Sequence, residues 1–105
     1  MPTSSAIFQD DLLAGRVVLI TGGGTNLGKA AAIEVARCGA FVVIAGRREE
    51  VLAEAVEHIG PLGSYAVGDI REPEQAARIV AETVERHGRL DTLVNSAGGQ
   101  YFVPA

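Results

Sequence analysis

Three features of the sequence predict an α/β fold, a doubly wound parallel sheet with helices on both faces. Short runs rich in apolar residues recur four times with little polar alternation, as fits parallel strands covered on both sides. Between them lie three stretches whose apolar residues return at helical spacing. Glycines punctuate the changeovers, at Gly15, Gly22, Gly46, Gly60, Gly68 and Gly88 among others. The resulting order, β-α-β-α-β-α-β, is the amino-terminal portion of such a sheet.

Residues 1–15 read as an N-terminal extension and residues 16–105 as the folded unit. Pro2, Thr3, Ser4 and Ser5 make a flexible start, after which Ile7, Phe8, Leu12 and Leu13 are expected to pack against the sheet. Residues 16–21 form the first strand. Residues 27–38 form a helix expected to be largely buried, since only Lys29, Glu34 and Arg37 are charged. Residues 41–45 are the second strand. Val51, Leu52, Ala55, Val56 and Ile59 then mark a helix stopped by Gly60-Pro61, with Glu49, Glu50, Glu54 and Glu57 on its other side. Residues 64–67 are a third strand. Pro73 suits the first turn of the next helix, Ala76, Ala77, Val80 and Val84 are its expected buried stripe, and Gly88 closes it. Glu74 with Arg78, and Glu82 with Arg86, are expected surface pairs. Residues 92–95 form the fourth strand.

The bulk properties narrow the function. A chain of 105 residues, 48% hydrophobic and 21% charged with a net charge of −4, describes one soluble domain with a modest core. Nucleic acid as a partner would call for a basic stripe that an acidic chain lacks. No apolar run approaches the roughly 18 residues of a membrane span, and Asp10 and Asp11 stand where a signal peptide would be apolar. A cytoplasmic protein is expected. Cys38, the single cysteine, excludes an intrachain disulfide and reads as a small buried thiol. His58 and His87 sit near helix ends, where a cation complements the dipole, and no transition-metal spacing is present.

The chemistry concentrates where the first strand ends, at Thr21-Gly22-Gly23-Gly24-Thr25-Asn26-Leu27-Gly28-Lys29. A strand, a glycine-rich turn and a helix start together make an anion site, because the first helical N–H groups have no intrahelical partner. The nucleoside-triphosphate loop G-x-x-x-x-G-K-[ST] fits from Gly23 to Lys29 but ends on Ala30, which has no hydroxyl for magnesium. The strict G-x-G-x-x-G turn fails at Leu27. At Asn26 asparagine is expected to tolerate a left-handed backbone where a glycine would otherwise turn the chain.

In doubly wound sheets ligands lie beyond the carboxyl ends of the strands, where Thr21, Gly46, Asp69 and Asn95 fall. A carboxylate ending the second strand would accept the ribose 2′-hydroxyl of NAD(H). Here that position is Gly46, followed by Arg47 and Arg48, which suit a 2′-phosphate instead. NADP(H) is therefore the expected cofactor.

From residue 16 onward the sequence resembles the short-chain dehydrogenase/reductase family. Thr21-Gly22-x-x-x-Asn26-x-Gly28 is similar to its T-G-x-x-x-G-x-G turn, with Asn26 replacing a glycine, and Asn95-Ser96-Ala97-Gly98 is similar to its N-N-A-G segment, with Ser96 replacing an asparagine. The resemblance implies a Rossmann-type fold and assigns cofactor contacts to Gly22, Gly24, Thr25, Asn26, Leu27 and Gly28. It places Asp69 and Ile70 at the adenine, and gives Asn95, Ala97 and Gly98 a supporting role beside the cofactor. Ala45-Gly46-Arg47-Arg48, Asp69-Ile70-Arg71 and Gly98-Gly99-Gln100-Tyr101 look like the enoyl-CoA and dienoyl-CoA reductase branch, which implies an unsaturated acyl-CoA thioester as substrate.

The family's proton-transfer group is a serine with a Tyr-x-x-x-Lys pair. Lys29 is the single lysine here, and neither Tyr65 nor Tyr101 has a lysine four residues on. No catalytic residue is therefore assigned. The expectation is the dinucleotide-binding half of a longer or split reductase, needing a companion segment that carries the catalytic pair and forming homo-oligomers when whole. A peroxisomal address stays open, since it is read from the C-terminus of the whole protein. The fourth strand is expected to leave an unpaired outer edge. The alternative is a dinucleotide-binding module without catalysis, or an inactive fragment.

Overall fold

A computed structural model of the chain describes residues 12–22, 26–95 and 101–104. Strands β1 (Val17–Thr21), β2 (Phe41–Gly46), β3 (Gly63–Val67), β4 (Thr92–Asn95) and β5 (Tyr101–Pro104) form one sheet in the order β3-β2-β1-β4-β5. The first four strands run parallel, as expected. β1 lies in the middle, with Ile20 level with Ile44 on one side and Val94 on the other. The expected open edge on β4 is instead occupied: β5 pairs with it antiparallel, from Asn95 opposite Tyr101 to Thr92 opposite Pro104. A reversal of direction needs no crossover helix, so a few residues after β4 suffice to bring the chain back along the same edge.

Alternation along the strands sorts the core into two faces. Val18, Ile20, Val42, Ile44 and Val94 point toward α1 (Asn26–Arg37) and α2 (Glu49–Ile59), where Ala32, Ala36, Leu52, Ala55 and Ile59 close over them. Leu19, Val43, Ala45 and Ala66 point the other way, toward Ile79 of α3 (Pro73–His87). In α1 the buried stripe is Gly28, Ala32 and Ala36, small residues that let the helix lie close to the sheet. The helix is less buried than its composition predicts, with Leu27 56% exposed. Of the extension, Leu13 packs against the first face and donates its N–H to the Cys38 carbonyl, whereas Leu12 faces solvent. Ile7 and Phe8 lie outside the described residues. The Cys38 thiol is buried, as expected.

The buried stripe of α3 differs from the predicted one. Ile79 and Thr83 are buried, while Ala77 is exposed and Val84 is 42% exposed. A threonine is tolerated inside because its hydroxyl donates to the Ile79 carbonyl one turn back, at 2.8 Å. Arg78 also departs from the expected pairing. Its Nη1 meets Glu82 at 3.2 Å and its Nη2 donates to the Val67 carbonyl at 2.7 Å, tying α3 to the end of β3.

At the amino-terminal end of the sheet Asp91 joins β1 to β4. Its carboxylate accepts the Val17 N–H at 2.8 Å while its own N–H donates to the Val17 carbonyl. Arg89 at 2.6 Å and Arg16 at 3.7 Å face the same carboxylate and, with that N–H, hold it below the usual carboxylate range, the Arg89 hydrogen bond being the largest cause. This clamp sits opposite the ligand end.

The two histidines separate. His58 Nδ1 lies 3.0 Å from the Glu54 carbonyl, in keeping with a helix-end role. His87 instead stacks on Phe41 with ring centroids 5.2 Å apart, and its Nε2 is buried with no hydrogen-bond partner among the described residues. Burial, and then the charge of Arg86, push the His87 imidazole below its ordinary 6.5, so it stands neutral rather than serving the dipole. The unfolded chain then takes up this proton before the folded one does. The contribution of His87 is complete above pH 6.5 and declines as the pH falls through the lower folded value. Urea midpoints measured across this interval should fall with acid in the wild type and fall less in H87F; equal slopes would exclude His87 as the source.

Candidate functional site

The carboxyl ends of β1, β2 and β3 converge on a cleft of about 520 Å³. Its floor is backbone. Gly22 follows β1 with φ of 74°, a left-handed value natural to glycine, and its N–H donates to the Ala45 carbonyl at 2.9 Å. Gly68 donates likewise to the Gly46 carbonyl at 2.7 Å, stitching the ends of β2 and β3. A Cβ at Gly68 would come within 2.7 Å of Arg78 Nη2 and 2.9 Å of Ile79 Cδ1, so those two side-chain ends would have to shift to admit one.

The walls come from three short segments. Arg47 and Arg48 leave β2 and face the cleft, with Arg48 at the N-cap of α2 and extended, its side chain making no cap hydrogen bond. Val51 and Leu52, from the first turn of α2, supply apolar wall. Asp69, Ile70 and Arg71 complete the far side. The lining thus carries three arginines against one aspartate, an excess of positive charge in a chain that is acidic as a whole.

Asp69 and Arg71 form a fork. Arg71 Nε donates to Oδ1 at 3.1 Å and Nη2 to Oδ2 at 3.0 Å, while the Arg71 backbone N–H donates to Oδ1 at 3.0 Å in an Asx-turn. These hydrogen bonds, aided by the charge of Arg47, bring Asp69 down to about 2. It is a carboxylate at any working pH.

The structure brings together Gly22, Arg47, Arg48, Asp69 and Ile70 from the predicted set. Asn26, Leu27 and Gly28 stand in the first turn of α1, outside the cleft lining among the described residues. Asn26 is helical rather than left-handed, and among the described residues near the turn the left-handed backbone falls on Gly22. Asn95, at the end of β4, belongs to a separate contact: the buried Thr21 hydroxyl donates to its Oδ1 at 3.1 Å. Gly24, Thr25, Ala97 and Gly98 lie outside the described residues.

Sequence reasoning missed the Thr21–Asn95 link, the apolar wall of Val51 and Leu52, and the pairing of Arg71 with Asp69. For the last a signal existed. An aspartate two residues before an arginine at a strand-to-helix junction is a natural Asx-turn.

A glycine-floored, cationic cleft at the carboxyl end of a doubly wound parallel sheet lies where α/β sheets of this kind bind their ligands. Residues 16–105 match the short chain dehydrogenase family, and the chain belongs to it. A peroxisomal 2,4-dienoyl-CoA reductase of Arabidopsis thaliana is 41% identical over 101 residues, covering 93% of this chain and 34% of the relative. Among solved structures, a citronellol catabolism dehydrogenase of Pseudomonas aeruginosa aligns with TM-score 0.82 and 36% identity over 87% of this chain and 39% of that one. A 3-ketoacyl-(acyl-carrier-protein) reductase of Brucella melitensis, in complex with NADH, aligns with TM-score 0.74 and 32% identity over 78% of this chain and 34% of that one. The chain therefore spans about a third of these relatives' lengths. Family membership removes the triphosphate-loop reading. Among the described residues no helix is long and apolar enough to cross a membrane.

Proposed function

We propose that this chain is the NADP(H)-binding portion of a short-chain reductase acting on unsaturated acyl-CoA thioesters. The observation that carries the cofactor choice is the end of β2. Gly46 offers no carboxylate there, and Arg47 and Arg48 both face the cleft. A 2′-phosphate carries about −1.5 to −2 charges near neutral pH. The cleft's three arginines exceed its one aspartate by two, 3 − 1, which fits such an anion.

The bound dinucleotide would supply the hydride. In this reading the chain's own residues do the holding. Arg47 forks onto the 2′-phosphate with Arg48 adding charge, Val51 and Ile70 shield the base from water, and Gly22 lets the diphosphate approach the backbone. The acyl-CoA substrate rests on the resemblance to the reductase branch and on the dienoyl-CoA reductase relative. The proton donor would come from a companion segment carrying the Tyr-x-x-x-Lys pair, in a homo-oligomer located in the cytoplasm or peroxisome.

Titration of the protein with NADPH and NADH, followed by nicotinamide fluorescence, tests the cofactor choice. Tighter binding of NADPH is expected; equal or tighter binding of NADH would overturn it. Oxidation of NADPH by the whole-length protein on adding a 2,4-dienoyl-CoA, and none with a saturated acyl-CoA, is the expected sign of the substrate class. Binding without turnover would favour the module.

A further inference from the structure

We infer that Tyr65 is a positioning residue for cofactor choice: its hydroxyl holds the Glu49 carboxylate beside β3 and so keeps it off Arg47, leaving that arginine's charge to an anionic ligand. This role rests on the NADP(H) reading above.

Two carboxylates bear on Arg47, and each is engaged elsewhere. Asp69, across the cleft, is taken by the Arg71 fork. Glu49 directly follows Arg48 and opens α2. Arg48 is extended, with φ of −113° and ψ of 107°, and side chains two apart along an extended backbone fall on the same side. Glu49 is therefore well placed to reach Arg47. Its Oε2 instead accepts the Tyr65 hydroxyl at 3.0 Å. Arg47 and Arg48 form no salt bridge among the described residues.

Tyr65 can serve as a fixed post because its body is anchored. β3 is the outer strand, Tyr65 lies level with Ile44, and it packs against the buried cluster beneath α1 and α2. The hydrogen bond to Glu49, and then the charge of Glu49, raise the phenol above its ordinary 10.0, so the hydroxyl keeps its proton and donates. An acid at the start of α2 also complements the helix dipole, but that role requires no tyrosine opposite it. The bond is exposed and replaces one to water, so it adds little to stability. Its consequence is where the negative charge sits. Released, Glu49 would compete with a phosphate for Arg47.

The test measures NADPH and NADH binding to the protein, read as the ratio of their dissociation constants. Y65F removes the hydroxyl and keeps the ring. It should weaken NADPH binding by about two- to fivefold, the scale of an exposed ion pair, and leave NADH binding within about 1.5-fold. In an E49Q background the same Y65F change should leave the ratio unaltered, because no carboxylate remains to be released. Y65M, which also lacks a donor, gives the same readout if Y65F does not fold. A ratio unchanged by Y65F would overturn the inference while leaving the cofactor reading intact. So would an equal loss for both cofactors, or a loss that persists with E49Q, either of which would make Tyr65 a structural residue. Wild type that binds NADPH no more tightly than NADH would overturn the cofactor reading and this role with it.

Discussion

Replacing Arg47 with alanine is expected to weaken NADPH binding by about 10- to 100-fold and NADH binding by less than about threefold. The asymmetry follows from geometry. Arg47 directly follows Gly46, which stands where a carboxylate would select the free ribose hydroxyl, and it faces the cleft. Its loss removes a partner for the phosphate that NADH lacks. Because Arg47 is exposed, the effect should shrink as salt is raised, since screening acts within about 8 Å at physiological ionic strength. Paired fluorescence titrations at low and high salt check both parts. Equal losses for the two cofactors would remove the 2′-phosphate from the account.

Ile20→Ala should cost about 2–5 kcal/mol of folding stability, the range for truncating a large core residue. Ile20 is fully buried in the central strand, between Ile44 and Val94, beneath α1 and α2. Domains of this size have about 5–15 kcal/mol in all, so this one change would consume a large share. Val84→Ala is the informative control. Helical spacing alone would put Val84 in the core, but α3 leaves it 42% exposed, and its truncation should stay within about 0.5 kcal/mol. Urea denaturation of both variants measures the contrast. A V84A cost near that of I20A would mean that α3 turns its other face to the sheet.

The elements themselves were legible because their signals are local. Apolar runs, Pro73 at a helix start and Gly60 and Gly88 at helix ends each act within a few residues. The two arginines that line the cleft could be read for the same reason, since a strand end and the residues after it stay adjacent wherever the sheet goes. Asp69 and Arg71 lie close enough in sequence for their pairing to have been anticipated.

What escaped the sequence depends on which way elements face. Ile79 and Thr83, rather than Val84, are buried because α3 is rotated on the sheet, and a threonine becomes a core residue once its hydroxyl bonds its own helix. The sequence places His87 at a helix end, while the packing of α3 beside β2 sets it on Phe41 and keeps it neutral. Likewise β5 could be assigned to the edge of β4 only once the parallel sheet was in place to receive it. The order and kind of elements came from chemistry between near neighbours. Helix rotation, the antiparallel edge and the Thr21–Asn95 link came from residues far apart in sequence, whose energies count only when the whole sheet brings them together.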